Sequence, residues 1–459
     1  MDDGSRAATD AAMARGRALA PRAPALDRAL IAALDLRYGH GAGADRGKLD
    51  AAFADAMLAL AAKNPGNDDL DVIAAEAAMD TTPWNYWDAD RRNPNPRIGR
   101  AVSLVEGVLA RHPQHQEAAH LYIHLTENYV DPKRGEAAAD ALNRSALPVA
   151  GHLVHMPGHI FYRVGRFKDA ITANIAAARA DEAYLAKVPD DGIYRYDYYP
   201  HNVHFIVASA QQAGDFATAI DQADKLARII PAERAATIGT AQIVLSARAF
   251  AYAQAGTPEK ILAQPMPDAR LPYLTAMWHY ARATAQARLH QRDAALAEIA
   301  AMDPIAASPQ IAALNVQGMP VRDLIHLAQH VARGRLDYAE GRFDAAAAQY
   351  RVAQAIEATI PYTEPPYWYY PVGQSLGAAL MAAGKPAEAR AAFQQALIVA
   401  PGNSWALYGL AQAERALGHS LEARAAEAAL DRAWLGNSAP YKADLTLRRY
   451  AAGHGAILA

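Results

Sequence analysis

Cysteine is absent from the 459 residues. Disulfides and thiolate metal sites are therefore excluded, and cysteine usage leaves the redox compartment undecided. No run of about 18 apolar residues occurs, so no segment is expected to span a membrane. An excess of one charge is missing too. The 45 Lys+Arg stand against 48 Asp+Glu, a formal net charge of -3, which offers nucleic acid no basic field. Charges of both signs are scattered as on a solvated surface. Alternating Val/Ile/Thr runs are scarce, and no Asn-Gly or Asp-Gly turn joins two of them, so strands are not expected. P-loop, dinucleotide-binding and Gly-x-Ser-x-Gly signatures are absent. Gly39-His40-Gly41-Ala42-Gly43 follows no strand and reads as a loop. His120 and His124 have the spacing of a zincin helix without its internal Glu, so that mechanism has no support.

What is present is helix. Hydrophobic residues make up 52% of the chain, much of it alanine, the strongest helix former and a natural spacer for close packing. Met1 to Pro24 lacks an uninterrupted apolar core and reads as a frayed lead into a helix, which makes the cytoplasm the default compartment. From about Leu26 onward apolar residues recur with helical period, broken by short glycine-containing turns.

Those turns repeat. Leu376, Gly377, Leu380, Gly384, Ala389, Phe393, Ala396 and Pro401 are followed by Gly418, thirty-four residues after Gly384. Gly158, Gly165, Phe167 and Ala170 form a second unit; Gly214, Phe216 and Ala219 a third; Gly334, Gly341, Phe343, Ala346 and Tyr350 a fourth. Pro65-Gly66-Asn67, Pro113-Gln114-His115 and Pro401-Gly402-Asn403 look like one recurring inter-repeat turn. The pattern resembles the tetratricopeptide (TPR) repeat, in which small residues at positions 8 and 20 let two helices approach while an aromatic at 17 or 24 fills the gap. The resemblance implies an all-α, TPR-like α-solenoid, a right-handed superhelix of about seven or eight helical hairpins. Its expected organisation is a helical lead-in over 1–49, the repeat array over 50–435 and a tail over 436–459. Spacings of 43 and 49 residues between some turn glycines imply insertions. Three aromatic candidates are Thr82 to Trp87, Tyr194 to Tyr199 and Tyr362 to Tyr370. Such inserts fall at one rim of a solenoid, where they shape a pocket or simply brace helices.

Seven of the sixteen histidines lie between 120 and 204, as His120-x3-His124, His152-x2-His155-x3-His159 and His201-x2-His204. Helical spacings of three and four put each group on one face. In repeat numbering His120, His155 and His204 take position 5, His124 and His159 position 9, and His152 and His201 position 2. In the TPR family those positions line the concave groove, so the resemblance implies rings facing one another across adjacent helices, about 8–10 Å apart. Imidazole is the commonest ligand for zinc, iron and copper. A cysteine-free histidine site, with Glu117, Glu127 and Asp197 as nearby carboxylates, points to zinc first, with iron or copper compatible. The metal would activate water or polarise a carbonyl, with Glu127 or Tyr122 assisting. Trp84, Arg163, Tyr198, Tyr199, Glu364 and Trp368 are the candidate contacts to a small molecule or peptide in the groove. Two other readings stay open. Local capping by single histidines is one, and a metal-free groove that grips a peptide is the other. Asp323, His326 and His330 depart from the register and read as structural, as do Trp278, His279 and Trp405. The histidine segments, with Pro83 to Trp87 and Glu364 to Pro371, are similar to a group of bacterial TPR-containing proteins. That likeness implies a shared groove and further helix ahead of this start.

Overall fold

The computed structural model describes residues 3–38, 45–145, 150–188, 192 and 194–436. The expected Gly39–Gly43 loop and all but the first residue of the 436–459 tail lie outside them. The chain divides into two compact units, Met1–Ala146 and Leu147–Ala459.

The first unit contains α1 (Asp3–Leu19), α2 (Ala25–Tyr38), α3 (Arg46–Lys63), α4 (Asp68–Met79), α5 (Pro96–Arg111), α6 (Gln116–Glu127) and α7 (Glu136–Asn143). The second begins with α8 (Gly151–His155), α9 (Pro157–Arg163), α10 (Phe167–Leu185), α11 (Tyr199–Ala213) and α12 (Phe216–Ile229). It continues with α13 (Ala232–Thr237), α14 (Gly239–Ala255), α15 (Pro258–Leu262), α16 (Pro272–Arg288), α17 (Arg292–Ala306), α18 (Pro309–Val316), α19 (Val321–Ala339) and α20 (Phe343–Glu357). The last four are α21 (Val372–Ala382), α22 (Pro386–Val399), α23 (Ser404–Ala416) and α24 (Ser420–Ala433). Within each unit the main helices pack on their chain neighbours. Among the described residues the only strand-like feature is one bridge, Trp87 to Pro94.

The recurring turn has a physical basis. In each copy its last residue caps the next helix through the side chain: Asn67 accepts from Leu70 N (3.1 Å), His115 from Ala118 N (3.2 Å) and Asn403 from Ala406 N (2.7 Å). A side-chain cap of this kind stabilises a helix by about 1 kcal/mol. The small-residue positions are seats for rings. A Cβ on Gly334 would sit 2.6 Å from the Tyr350 ring, and one on Gly377 2.5 Å from that of Phe393. Both pairs are positions 8 and 24 of their repeats. Position 24 of the α9–α10 pair is not aromatic: Asn174, with no exposed surface, takes the place against Gly158.

The second unit is not an open ramp, because its last repeat packs back on its first. Leu435 N donates to Ala213 O (2.9 Å), and Trp405 Nε1 donates to Gln211 O (3.1 Å). Gly165 (φ 82°) meets the Pro401-Gly402 backbone so closely that no side chain fits between them. The third insert also departs from expectation. Trp368, Tyr369 and Tyr370 are 5%, 2% and 1% exposed and pack inside the unit instead of lying at its rim. Trp368 meets Phe250 and Tyr280 at ring separations of 5.1 and 5.4 Å. Tyr370 accepts from Arg335 (2.9 Å), whose guanidinium is buried between tyrosine faces. Aromatic area in a run this dense is worth more in a core than in water, which draws the segment inward.

The insert is tied at its end by Glu357, whose two oxygens accept from Val372 N (3.2 Å each). Burial pushes this carboxyl up to about 8. The proton is held in the folded state and lost from the unfolded chain above the ordinary carboxylate range, so stability falls as pH rises from about 4.5 through 8. Glu357→Gln removes that dependence. Thermal melts are expected to match wild type at pH 5 and to exceed it at pH 8.5; equal melts at both pH values would contradict the assignment.

Candidate metal centre

The second unit brings three imidazoles together. His155 ends α8, and His159 lies one turn on in α9, beyond Pro157. His201 opens α11 of the next hairpin. The ring centroids of His155 lie 4.4 Å from His159 and 4.8 Å from His201, and those of His159 and His201 are 5.7 Å apart. One nitrogen from each ring lies within 4.8 Å of the others. The Phe205 ring touches all three, at centroid distances of 5.0, 4.7 and 5.1 Å, and supplies an apolar floor. His155 and His159 are 0% and 1% exposed.

Two of the rings are oriented from behind. Asn174 Nδ2 donates to Ala170 O (2.8 Å), which fixes the amide so that Oδ1 faces His155 Nδ1 at 2.6 Å. His159 Nδ1 lies 2.8 Å from Glu364 Oε2. An amide oxygen and a carboxylate only accept, so both Nδ1 atoms carry hydrogen, and in the neutral rings both Nε2 atoms carry lone pairs. Those two Nε2 atoms are 2.6 Å apart. Burial, with the charge of His159, His201 and His152, holds His155 well below the usual imidazole range. His201 packs on this buried cluster although part of the residue reaches solvent. Burial and His159 lower it to about 3, against the pull of Glu364. Neutral imidazole is the ligating form.

The other expected site residues take varied places. His152 sits 6.1 Å from His155 and edge-on to Tyr198 at 5.4 Å, beside the triad. His204 is turned from the cluster to the Tyr369 hydroxyl, because the buried insert reaches it first; burial lowers it to about 3. Glu364 backs His159 instead of standing apart as a substrate contact. Trp368 is in the core for the same reason. Tyr199 donates to Glu182 (2.8 Å), and Arg163 reaches Val399 O (3.4 Å) with its guanidinium 5.7 Å from the Tyr362 ring. Burial raises the Asp197 carboxyl. His326 and His330 pair with Gln329 (3.1 Å) and Gln349 (2.9 Å), and His279 with Glu298 (2.6 Å), as structural side chains do. Trp278 donates to Gln264 O (3.1 Å), and Trp405 is 1% exposed.

The first unit repeats the carboxylate-behind-imidazole pattern. On α6, His120 Nδ1 meets Glu117 (2.8 Å) and His124 Nδ1 meets Glu127 (2.8 Å), with the two rings 5.1 Å apart. Glu127 therefore orients a histidine. Tyr122 donates to Glu106 (2.6 Å), and burial and that carboxylate raise the phenol above its ordinary value, which disfavours a basic role. Trp84 is 53% exposed, has φ of 56° and stands edge-on to His124 at 6.5 Å. Left-handed backbone at a bulky residue is strained and persists where the surroundings demand it.

Asn174 carries no motif of its own in the sequence. Its signal was present: a polar residue at position 24, where sister repeats carry Tyr350 and Phe393.

No family model and no curated protein sequence matches the chain. Solved structures similar to it include the TPR domain of P58(IPK), at 13% identity over 83% of this chain and 96% of that one, TM-score 0.24. Another is the human IFIT1 dimer with m7Gppp-AAAA, at 14% identity over 88% and 80%, TM-score 0.33. A third is the APC/C hetero-tetramer Cut9-Hcn1, at 11% identity over 89% and 96%, TM-score 0.28. No helix among the described residues is long and apolar enough to cross a membrane. The capped inter-repeat turns, the glycine seats under Tyr350 and Phe393 and the stacking of consecutive helices make this chain a TPR-like α-solenoid.

Proposed function

We propose that this chain binds a divalent transition metal through His155, His159 and His201 and presents it to a small molecule or a peptide end. Zinc is the first candidate, and iron or copper suits the same donors. The observation that carries the reading is the convergence of three imidazoles, with one nitrogen of each within 4.8 Å of the others, on the apolar floor of Phe205. Three protein ligands leave a fourth position for water or substrate, the pattern of catalytic rather than structural sites. A metal there would activate water or polarise a carbonyl. A tetrahedral ion spans its nitrogens by about 3.3 Å, so the 2.6 Å Nε2 pair must open by about 0.7 Å on loading. His120 and His124 offer a second chelating pair, each ring backed by its own carboxylate. The metal-free peptide scaffold has less in its favour in the second unit, where Trp368 to Tyr370 already cover inner helix surface.

Elemental analysis of tag-free protein decides between the two. The metal reading expects a near-stoichiometric transition metal that withstands dialysis. Protein without metal, unable to take up zinc when it is supplied, would leave only the scaffold.

A further inference from the structure

We propose that Asn174 and Glu364 are positioning residues that turn the His155–His159 pair into a cation trap; the inference rests on the metal reading above. Each holds the hydrogen of its imidazole on Nδ1. The consequence is at the opposite edge of the rings. Two lone pairs face each other at 2.6 Å, an arrangement that repels unless a proton or a metal ion lies between. Were either ring the other tautomer, an Nε2–H would point into the pair and satisfy its neighbour, and the site would have no need of a cation.

The placement of Asn174 carries this further than ordinary hydrogen bonding. Sister repeats put Tyr350 and Phe393 at this position, seated on Gly334 and Gly377. Here the seat, Gly158, is kept while the ring is replaced by an amide with no exposed surface. Giving up a buried aromatic costs packing energy. The amide recovers part of it only through its two bonds, one to Ala170 O and one to His155. The first bond sets the direction of the second, so the amide cannot flip without losing both.

Glu364 comes from the third aromatic insert, 205 residues beyond His159. The carboxylate adds negative charge behind its ring and makes His159 the more basic donor. His155, backed by a neutral amide, stays the weaker one. Outer-shell partners of this kind typically change metal affinity 10–100-fold.

The test uses the full chain as wild type, Glu364→Gln and Asn174→Leu. Gln keeps an acceptor oxygen without the charge, and Leu keeps the branched shape of Asn without its polar atoms. Long-range ¹H–¹⁵N spectra of the apo proteins at pH 8 report the tautomers, and zinc titrations against a competing chelator report affinity. Both rings are expected as Nδ1–H in wild type. Each variant is expected to bind zinc about 10–100-fold more weakly, with mixed tautomers at the ring it touches. Nε2–H rings in wild type, or variant affinities within twofold of it, would overturn the proposal. If wild type took up no zinc, the metal reading would fall by itself, while the tautomers would still decide the positioning role. Should Asn174→Leu not fold, Glu364→Gln carries both measurements, since it replaces one polar side chain by another of the same shape.

Discussion

Replacing His155 and His159 together by alanine is expected to leave tag-free protein without bound transition metal, where wild type carries close to one ion per second unit. The loss should exceed the roughly 10–100-fold that removal of an outer-shell partner costs, because two of three inner donors go at once. The double variant also loses two buried side chains, which are 0% and 1% exposed, and removes the donor that the buried Asn174 oxygen faces. A buried acceptor left without its donor costs about 1–3 kcal/mol, so a lower melting temperature is expected as well. His201→Ala separates the two effects. That residue reaches solvent, so its removal should cut metal affinity with little change in the apo melt. Metal retained by both variants would place the ion elsewhere.

Gly165→Ala is expected to cost the second unit stability on two counts, backbone conformation and backbone overlap. The φ of 82° lies where an L side chain costs about 1–2 kcal/mol. A Cβ there would also overlap the Pro401 carbonyl. Backbone forced apart in a packed region adds about 1–3 kcal/mol. The joint between first and last repeats is what bears the strain, so the bonds of Trp405 to Gln211 and Leu435 to Ala213 should open with it. Calorimetry should show a clear drop in melting temperature, and hydrogen exchange should quicken at both ends of the unit together. Gly384→Ala is the control. It has φ of 75° but no neighbour within 4 Å of the added carbon, so it should show the backbone cost alone. Equal losses for the two would mean that the ends are not held against each other.

What the sequence made legible was local. The capping turns at Asn67, His115 and Asn403 and the glycine seats under Tyr350 and Phe393 each follow from a few residues with a fixed conformational preference. Helical spacing alone put His155 and His159 on one face, and repeat numbering carried His201 to them from the next hairpin. What was not legible depended on distant partners. Nothing near His204 announces that Tyr369, 165 residues on, will take its ring. A period of about thirty-four residues predicts a continuing stack and says nothing of where the stack meets itself. Aromatic inserts have the same composition at a rim as in a core; the Trp368 to Tyr370 end of this insert lies inside because Phe250, Tyr280 and Arg335 offer it a surface. Asn174 was visible only as a broken rule, an amide where the repeat asks for a ring.

X-ray absorption at the metal edge of zinc-loaded protein reads the ligand set itself. Nitrogen scatterers at about 2.0–2.1 Å are expected, with outer-shell scattering from three imidazoles in wild type and two in His201→Ala. A spectrum without imidazole scattering, or one unchanged by loss of His201, would contradict that ligand set.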